Sequence, residues 1–541
     1  MLRGGTRLAA ALALLVLVSC SQSGGQGVVP QTPKDTLVIA EASTPTSLDA
    51  EFPGSTPANQ EAAENETESL VKFGTKTNSN GTLSIDPTKL LPNLAESYTR
   101  SADGLTWSFT LRQGVKSYFG NELTSADVKY LIDRSIAVNG DCSGFDLEGV
   151  SRVDPKNPIT ITGTYTFNIH LTAASPLLPY ASASLPTCTI SDSTEVKKHV
   201  TASDPWARTW MATNTADFAP YHVQNLISGQ ETDWVANPNY WQGPPKFKKI
   251  IVKAVPDAST RTALLERGSV DIAEGLTPRE QQEVAGKAGL VVENQVGNFG
   301  LFYMFNLGVP PLDNLMYRQA LAYALPTSDI IRSVYLNAPG IQVSPGYIPP
   351  GYPGALTTWP YQPRDVAKAK ALLQQSGVNL STPIQIAYST DQPTDEETAT
   401  VIKTSLAEVG ITVQLQALSS AAYYQEFYAK KAQTILVHDA AFVVDGPYVL
   451  SLYFNPDPNL GEGNYTNFND PAATALITQG LASQDPSQRA TLAEQANQLI
   501  VNQAPWGFFI LIGNHLPRLQ NVKGYIWRSS NALRFGDIYK T

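Results

Sequence analysis

The sequence has 541 residues, too many for one ordinary core, and at about 100–200 residues per domain it implies two to four structural units. Hydrophobic residues make up 42% and charged residues 16%, a globular composition. Lys plus Arg total 38 against 48 Asp plus Glu, and the resulting net charge of −10 argues against a nucleic-acid partner, because phosphate binding needs clustered cations.

Arg3 and Arg7 precede an unbroken small and apolar run from Leu8 to Ser19. That run is too short to span a ~30 Å hydrocarbon core as a helix, so residues 1–19 read as a signal peptide. Leu17-Val18-Ser19-Cys20 resembles a bacterial lipobox, which implies cleavage before Cys20 and acylation of its thiol; a plain signal peptide is the alternative. Loss of Arg3 and Arg7 takes the net charge from −10 to −12. Residues 20–34 hold Ser, Gln, Gly and Pro with little to bury, and read as a flexible tether.

Ordered structure is expected from Thr36 to Ala40, a short apolar run typical of a buried strand. Residues Leu105 to Leu111 alternate apolar and polar, the period of a half-buried strand. Thr124 caps a helix whose first turn contains Asp127, with Val128, Leu131 and Ile132 on one face. Cys142 and Cys188 are the remaining cysteines. In an exported chain they suggest a disulfide closing about 47 residues and contributing roughly 3–4 kcal/mol, with two unrelated buried thiols as the alternative. Ser259 to Glu266 reads as a helix stopped near Gly268, and Val270 to Ile272 as a short strand.

From residue 312 helices and strands alternate. Helices are expected at Asp313–Leu325, Asp365–Gln375, Thr394–Val409, Ala421–Lys431 and Ser487–Asn502, with strands at Ile384–Tyr388, Ile411–Leu415 and Thr434–Val437. This alternation implies parallel pairing through right-handed crossovers. Short strands return after Gly507.

Several segments, in this order, resemble the extracellular solute-binding proteins of the oligopeptide and dipeptide type (family 5) that serve ABC importers. They are Pro45–Asp49, Leu91–Tyr98, Asp103–Val115, Leu123–Val128, Asn237–Trp241, Arg267–Ile272, Phe305-Asn306 with Arg318–Leu321, and Asn521–Tyr525. Within that family the chain is similar to actinobacterial dipeptide-binding lipoproteins. The resemblance implies an α/β, two-lobed periplasmic-binding-protein-like fold (type II, cluster C) with three domains and a hinged cleft. Domain I is expected from 35–65, 205–296 and 509–541, domain II from 66–204 and domain III from 297–508. Hinges are expected near Phe305-Asn306 and from Trp506 to Ile512. The Asp103–Val115 block is expected to fix a turn, and Asp271 to serve at a strand end.

The family places a carboxylate four residues before a proline to meet the ligand ammonium. Counting back from Pro447 reaches Val443, a departure that leaves Asp445 or Asp439 as the anchor. Asp445 has the alternative role of capping the turn at Gly446-Pro447. Ala440 and Ala441 stand where the family has an aromatic residue. Phe442, Tyr448, Tyr465 and Phe305 are candidate pocket walls or core residues; Asn306 and Asn464 offer amides; Ser43, Thr44 and Ser47 follow the first strand.

The implied function is capture of short peptides for ABC permease subunits by a lipid-anchored monomer on the outer face of the cell membrane, with no cofactor and no resident metal. Haem or another non-peptide solute is the alternative cargo; haem is named because His438 and several aromatic residues lie in the same segment. A secreted hydrolase is the enzyme alternative, but no G-x-S-x-G elbow, H-E-x-x-H helix, C-x-x-C pair or phosphate-binding loop occurs, and the five histidines show no ligand spacing.

Overall fold

The computed structural model describes residues 32–51, 56–184, 188–457, 460 and 463–541; the signal peptide, Cys20 and most of the tether lie outside them. A seven-stranded mixed sheet has the order Leu290–Gln295, Asn514–Leu519, Ile272–Ala273, Thr36–Glu41, Lys249–Ala254, Glu231–Ala236, Tyr221–Ile227. Thr36–Glu41 lies at its centre, parallel to both neighbours. Its last five residues are buried, as a strand covered on both faces requires. Leu37, Ile39, Trp234, Phe247, Ile250 and Phe535 share its core. Asp271 is fully buried at the strand end, accepting from Val38 N at 2.7 Å and pairing with Lys540 Nζ at 2.8 Å.

A four-stranded antiparallel sheet follows, in the order Ala95–Arg100, Thr106–Leu111, Thr166–His170, Ile159–Gly163. Trp107, Phe109 and Leu111 point into its core and alternate with partly exposed residues. Asp103 holds the turn before it, accepting from Leu105 N at 3.0 Å. Helix Ser125–Val138 starts where Asp127 Oδ2 accepts from Thr124 N at 2.8 Å. Cys142 and Cys188 are bonded, with their Cα atoms 5.0 Å apart.

The third body is a six-stranded sheet ordered Gln342–Val343, Trp506–Leu511, Gly300–Phe305, Thr434–Asp439, Ile384–Ser389, Val413–Leu418. Its last three strands are parallel, as the helix–strand alternation implies. Gly300–Phe305 is antiparallel to both of its main neighbours, so the sheet is mixed. The reason is connectivity: this strand carries the chain away from the seven-stranded body and Trp506–Leu511 brings it back. Leu301, Tyr303 and Phe305 face helices Leu315–Ala324, Val366–Ser376 and Asp395–Ala407. Phe302 and Met304 face helices Gly446–Phe454, Pro471–Ala482 and Pro486–Asn502 around Trp506. Each fully buried large apolar side chain contributes about 1.5–3 kcal/mol.

The chain crosses between the two large sheets at residues 296–299 and 512–513. The expected hinge at Phe305-Asn306 is therefore displaced: Phe305 ends a strand buried along its whole length, while the crossing precedes Gly300. The returning hinge is likewise narrower than Trp506–Ile512, since Trp506–Leu511 is itself a buried strand. Ile512 N donates to Phe299 O at 3.0 Å, tying the crossings together.

Candidate functional site

Sheet register locates the candidate site. Gly300, the first residue past one crossing, pairs with Asp439 on one side and with Leu511, next to the other crossing, on the other. The segment after Asp439 therefore leaves the six-stranded sheet at the end facing the seven-stranded body. In the latter sheet, Ile272–Ala273 runs antiparallel to Asn514–Leu519 and parallel to Thr36–Glu41. The carboxyl ends of these two strands, and the loop holding Ser43, Thr44 and Ser47, thus point toward the same crossings. Ligands of open α/β sheets bind outside such carboxyl ends.

The four-stranded body touches the third body beside this end. Val150, Leu177 and Ala181 share one buried cluster with Ala441, Val443, Tyr448 and Tyr453. Burial, reinforced by the charge of Asp445, raises the phenol of Tyr180 above its ordinary range. Gln484 Nε2 reaches Ala174 O at 3.3 Å, and Arg100 bonds the Gln484 side chain.

Asp445 is committed within the fold. Its Oδ1 accepts from Tyr448 N at 2.9 Å, capping helix Gly446–Phe454. Both carboxylate oxygens also receive Arg489, from Nη2 at 2.6 Å and from Nε at 2.9 Å. The Arg489 guanidinium is 5% exposed and donates further to the carbonyls of Gly480, Leu481 and Ser483. A bidentate buried pair of this kind leaves no charge on Asp445 for a ligand amine.

Asp439 is different. Its Oδ1 accepts from Ala440 N at 2.7 Å and its Oδ2 from Tyr453 OH at 3.0 Å, and among the described residues no cation pairs with it. Burial pushes its carboxyl up to about 6, against the opposing effect of these hydrogen bonds. Aromatic rings stand beside it. Desolvation holds the Tyr423 phenol well above its ordinary value, reinforced by Asp395, Tyr424, Asp439 and Tyr465. Tyr465 packs 3.6 Å from the Phe427 ring and 5.8 Å from that of Tyr428, which is 64% exposed.

The other expected site residues divide between wall and framework. Phe442 is partly buried, while Ala441, Val443, Gly446 and Tyr448 are buried. Phe305 is core. Asn306 spends its amide on Lys430 O, Ala432 O, Gly308 N and Asn467 Nδ2, and Asn464 spends its own on Asn455 O, Phe468 O and N, and Thr466. Ser43 is exposed; Thr44 accepts from Gly229 N and Ser47 from Asp49 N. His438 Nε2 lies 2.6 Å from Asp395 Oδ1, so that nitrogen is already engaged.

Two features were not visible to the residue-by-residue reading. The ring cluster of Tyr423, Tyr424, Phe427 and Tyr428 was signalled only by aromatic spacing on helix Ser420–Tyr428. Asn298, at a crossing, is 1% exposed and donates to Ala441 O at 2.9 Å, Ser529 O at 3.0 Å and Tyr352 OH at 3.2 Å. It also accepts from Asn531 Nδ2 at 2.8 Å, so one side chain binds both bodies; no motif marks it. A cavity of about 250 Å³ lies elsewhere, lined by Glu68, Lys72, Tyr240 and Arg534, and its Glu68 and Arg534 pair with each other at 2.6 Å.

Comparison with known proteins agrees with this architecture. The family described as "Bacterial extracellular solute-binding proteins, family 5 Middle" matches residues 89–461. The probable D,D-dipeptide-binding periplasmic protein DdpA of Escherichia coli (strain K12) is 26% identical over 500 residues, covering 92% of each chain. Heme-binding protein A of Haemophilus influenzae is 26% identical over 564 residues, covering 96% of each. The solved structure of the ABC transporter-associated periplasmic binding protein DppA from Helicobacter pylori, in complex with peptide STSA, has a TM-score of 0.79 at 21% identity. It covers 93% of this chain and 98% of that one, a likeness of fold.

Proposed function

This chain belongs to the bacterial extracellular solute-binding proteins of family 5, and from that membership we propose that it captures short peptides between its two large bodies and hands them, chemically unaltered, to the permease of an ABC importer. The observation that carries the peptide reading is Asp439: a desolvated carboxylate without a cation partner, at the end of a central strand, beside aromatic rings and facing the crossings. A peptide ammonium supplies the missing charge, and the ligand backbone pairs with exposed main-chain groups as in strand addition. The bodies close by rotation at 296–299 and 512–513, which excludes water and strengthens the pair. A haem reading would need His438 as a ligand, but its Nε2 is held by Asp395.

The domains of this reading are I (35–65, 205–296, 512–541), II (66–204) and III (297–511); the last boundary moves from 508/509 to 511/512 because Trp506–Leu511 belongs to the six-stranded sheet. Acylation of Cys20 anchors a monomer outside the cell, and no helix among the described residues is long and apolar enough to cross a membrane.

The test is calorimetric titration with a dipeptide and with its N-acetylated form. Asp439→Asn and N-acetylation are each expected to weaken binding about ten- to hundredfold, the equivalent of a charge-assisted bond worth ~1.5–3 kcal/mol. Equal affinity of free and acetylated peptides, or of wild type and Asp439→Asn, would remove Asp439 as the anchor. A peptide recovered cleaved would end the receptor reading.

A further inference from the structure

Several acids in the protein interior are matched by a cation. Asp49 pairs with Arg134 at 2.6 Å, Asp271 with Lys540 at 2.8 Å, Glu293 with Arg518 at 2.8 Å and Asp445 with Arg489 at 2.6 Å. Glu41, Glu61 and Glu274 are not. One carboxylate oxygen from each lies within 4.8 Å of the other two. Among the described residues no N–H, hydroxyl or ammonium group donates to any of these three side chains, and Glu41 Oε1 and Glu61 Oε1 are buried without a partner. Glu41 is 5% and Glu61 4% exposed, and Glu274 is partly exposed.

Three chain segments converge here. Glu41 ends the central strand, and Glu274 follows Ile272–Ala273, the parallel strand beside it, with Glu274 N donating to Ala40 O at 2.9 Å. Glu61 comes from helix Pro57–Glu66. Arg261 adds a positive charge nearby, but its guanidinium donates to the carbonyls of Val255, Pro256, Glu274 and Gly275 and to no carboxylate. Fully ionised, three carboxylates and one guanidinium would carry a charge of about −2 in a desolvated place, which is costly; burial therefore raises all three acids, and a cation bound here displaces their protons.

We propose that Glu41, Glu61 and Glu274 form a binding site for a divalent cation, Ca²⁺ by chemistry, that ties the end of the central strand to helix Pro57–Glu66. The donors are all carboxylate oxygens, which select hard cations over zinc or copper. Oxygens up to 4.8 Å apart fit an ion that takes ligands at about 2.3–2.6 Å and lies between them. Glu274 supplies the solvent-facing entry, and water completes the coordination. A divalent ion brings the local charge to about zero. Extracellular modules bind Ca²⁺ in the ~10⁻⁴–10⁻³ M range, which an exported protein meets.

The test uses the purified exported chain after chelation and dialysis. Calorimetry with CaCl₂ alone is expected to give one site per chain, and millimolar Ca²⁺ to raise the thermal midpoint by about 2 °C or more. Glu61→Gln is expected to abolish both responses while still folding, because its amide donates to the neighbouring carboxylates. Glu274→Gln, at the partly exposed edge, is expected to weaken binding at least tenfold and serves if Glu61→Gln does not fold. Absence of any heat or midpoint shift with Ca²⁺, Mg²⁺ and Mn²⁺ would overturn the proposal, since the cluster would then hold protons only. So would a Ca²⁺ response unchanged in both variants. Dipeptide affinity measured alongside tests Asp439 separately, so either reading can fail without the other.

Discussion

Replacing Asp445 by alanine separates a framework carboxylate from a ligand-binding one. The substitution removes the cap of helix Gly446–Phe454, worth about 1 kcal/mol. It also strips Arg489 of two hydrogen bonds at 2.6 and 2.9 Å and of its only ion-pair partner among the described residues, at a site where the guanidinium is 5% exposed. Breaking one side of a buried pair costs about 3–5 kcal/mol, and the three carbonyls that still hold Arg489 place this case toward the lower end. The two losses share one residue and are not additive, so an overall loss of ~3–5 kcal/mol is expected. Urea unfolding should show it as a lower midpoint at unchanged slope. Dipeptide affinity, measured by calorimetry well below the unfolding transition, should stay within about twofold of wild type, a difference of ~0.4 kcal/mol. Asp445→Ala combined with Arg489→Met should recover much of the stability, because it removes the orphaned charge. A near-normal urea midpoint together with a tenfold loss of peptide affinity would refute this account and return Asp445 to the ligand.

Stability should also fall as pH rises from about 4 to 8 in chelated buffer. Burial pushes Glu51 and Asp217 up to about 8, so the folded state keeps protons that the unfolded chain releases near pH 4. Each such group contributes a slope of up to ~1.4 kcal/mol per pH unit, present below the unfolded value and lost through the folded one. Asp217→Asn should flatten the midpoint-versus-pH curve between pH 5 and 8, and an unchanged slope would show that Asp217 titrates normally. Asn298→Ala removes four hydrogen bonds that join both bodies at a crossing. It should lower stability by about 2–3 kcal/mol and speed peptide release, read by stopped-flow fluorescence; release at the wild-type rate would confine Asn298 to a folding role.

Local pattern made the elements legible. The alternation at Thr106–Leu111, the cap at Thr124 and Asp127, and the Gly377 stop after Val366–Ser376 all lie in short windows whose physics is local. The helix expected at Asp313 begins at Leu315 because Asn314 supplies the cap. Helices Pro57–Glu66 and Gly446–Phe454 are not legible in the sequence. The first carries buried glutamates where an apolar face is expected, and the second is buried nearly all round, so neither shows an amphipathic period. The crossings are hidden in the sequence for a related reason. Gly300–Phe305 is apolar along its length, and nothing in such a run says on which side of it the chain changes body.

The anchor was harder to read, because availability of a carboxylate depends on partners far away in the chain. Asp445 and Arg489 are 44 residues apart, and His438 and Asp395 are 43 apart. From the sequence alone Asp439, Asp445 and Asp395 are equivalent acids near one segment. In the fold, Asp445 already holds a guanidinium, Asp395 an imidazole, and Asp439 only a backbone N–H and a phenol. Val443, at the position where the resemblance places the charge, is fully buried in the cluster around Tyr448 and Tyr453. An acid there would need its own cation or would hold a proton. On the proposed reading, Asp439 at a strand end carries the free carboxylate, and no charge is buried at Val443. If Asp439 is the anchor, the peptide amine is expected toward Tyr423, which feels the Asp439 charge, and a ring there would add cation–π attraction to the ion pair.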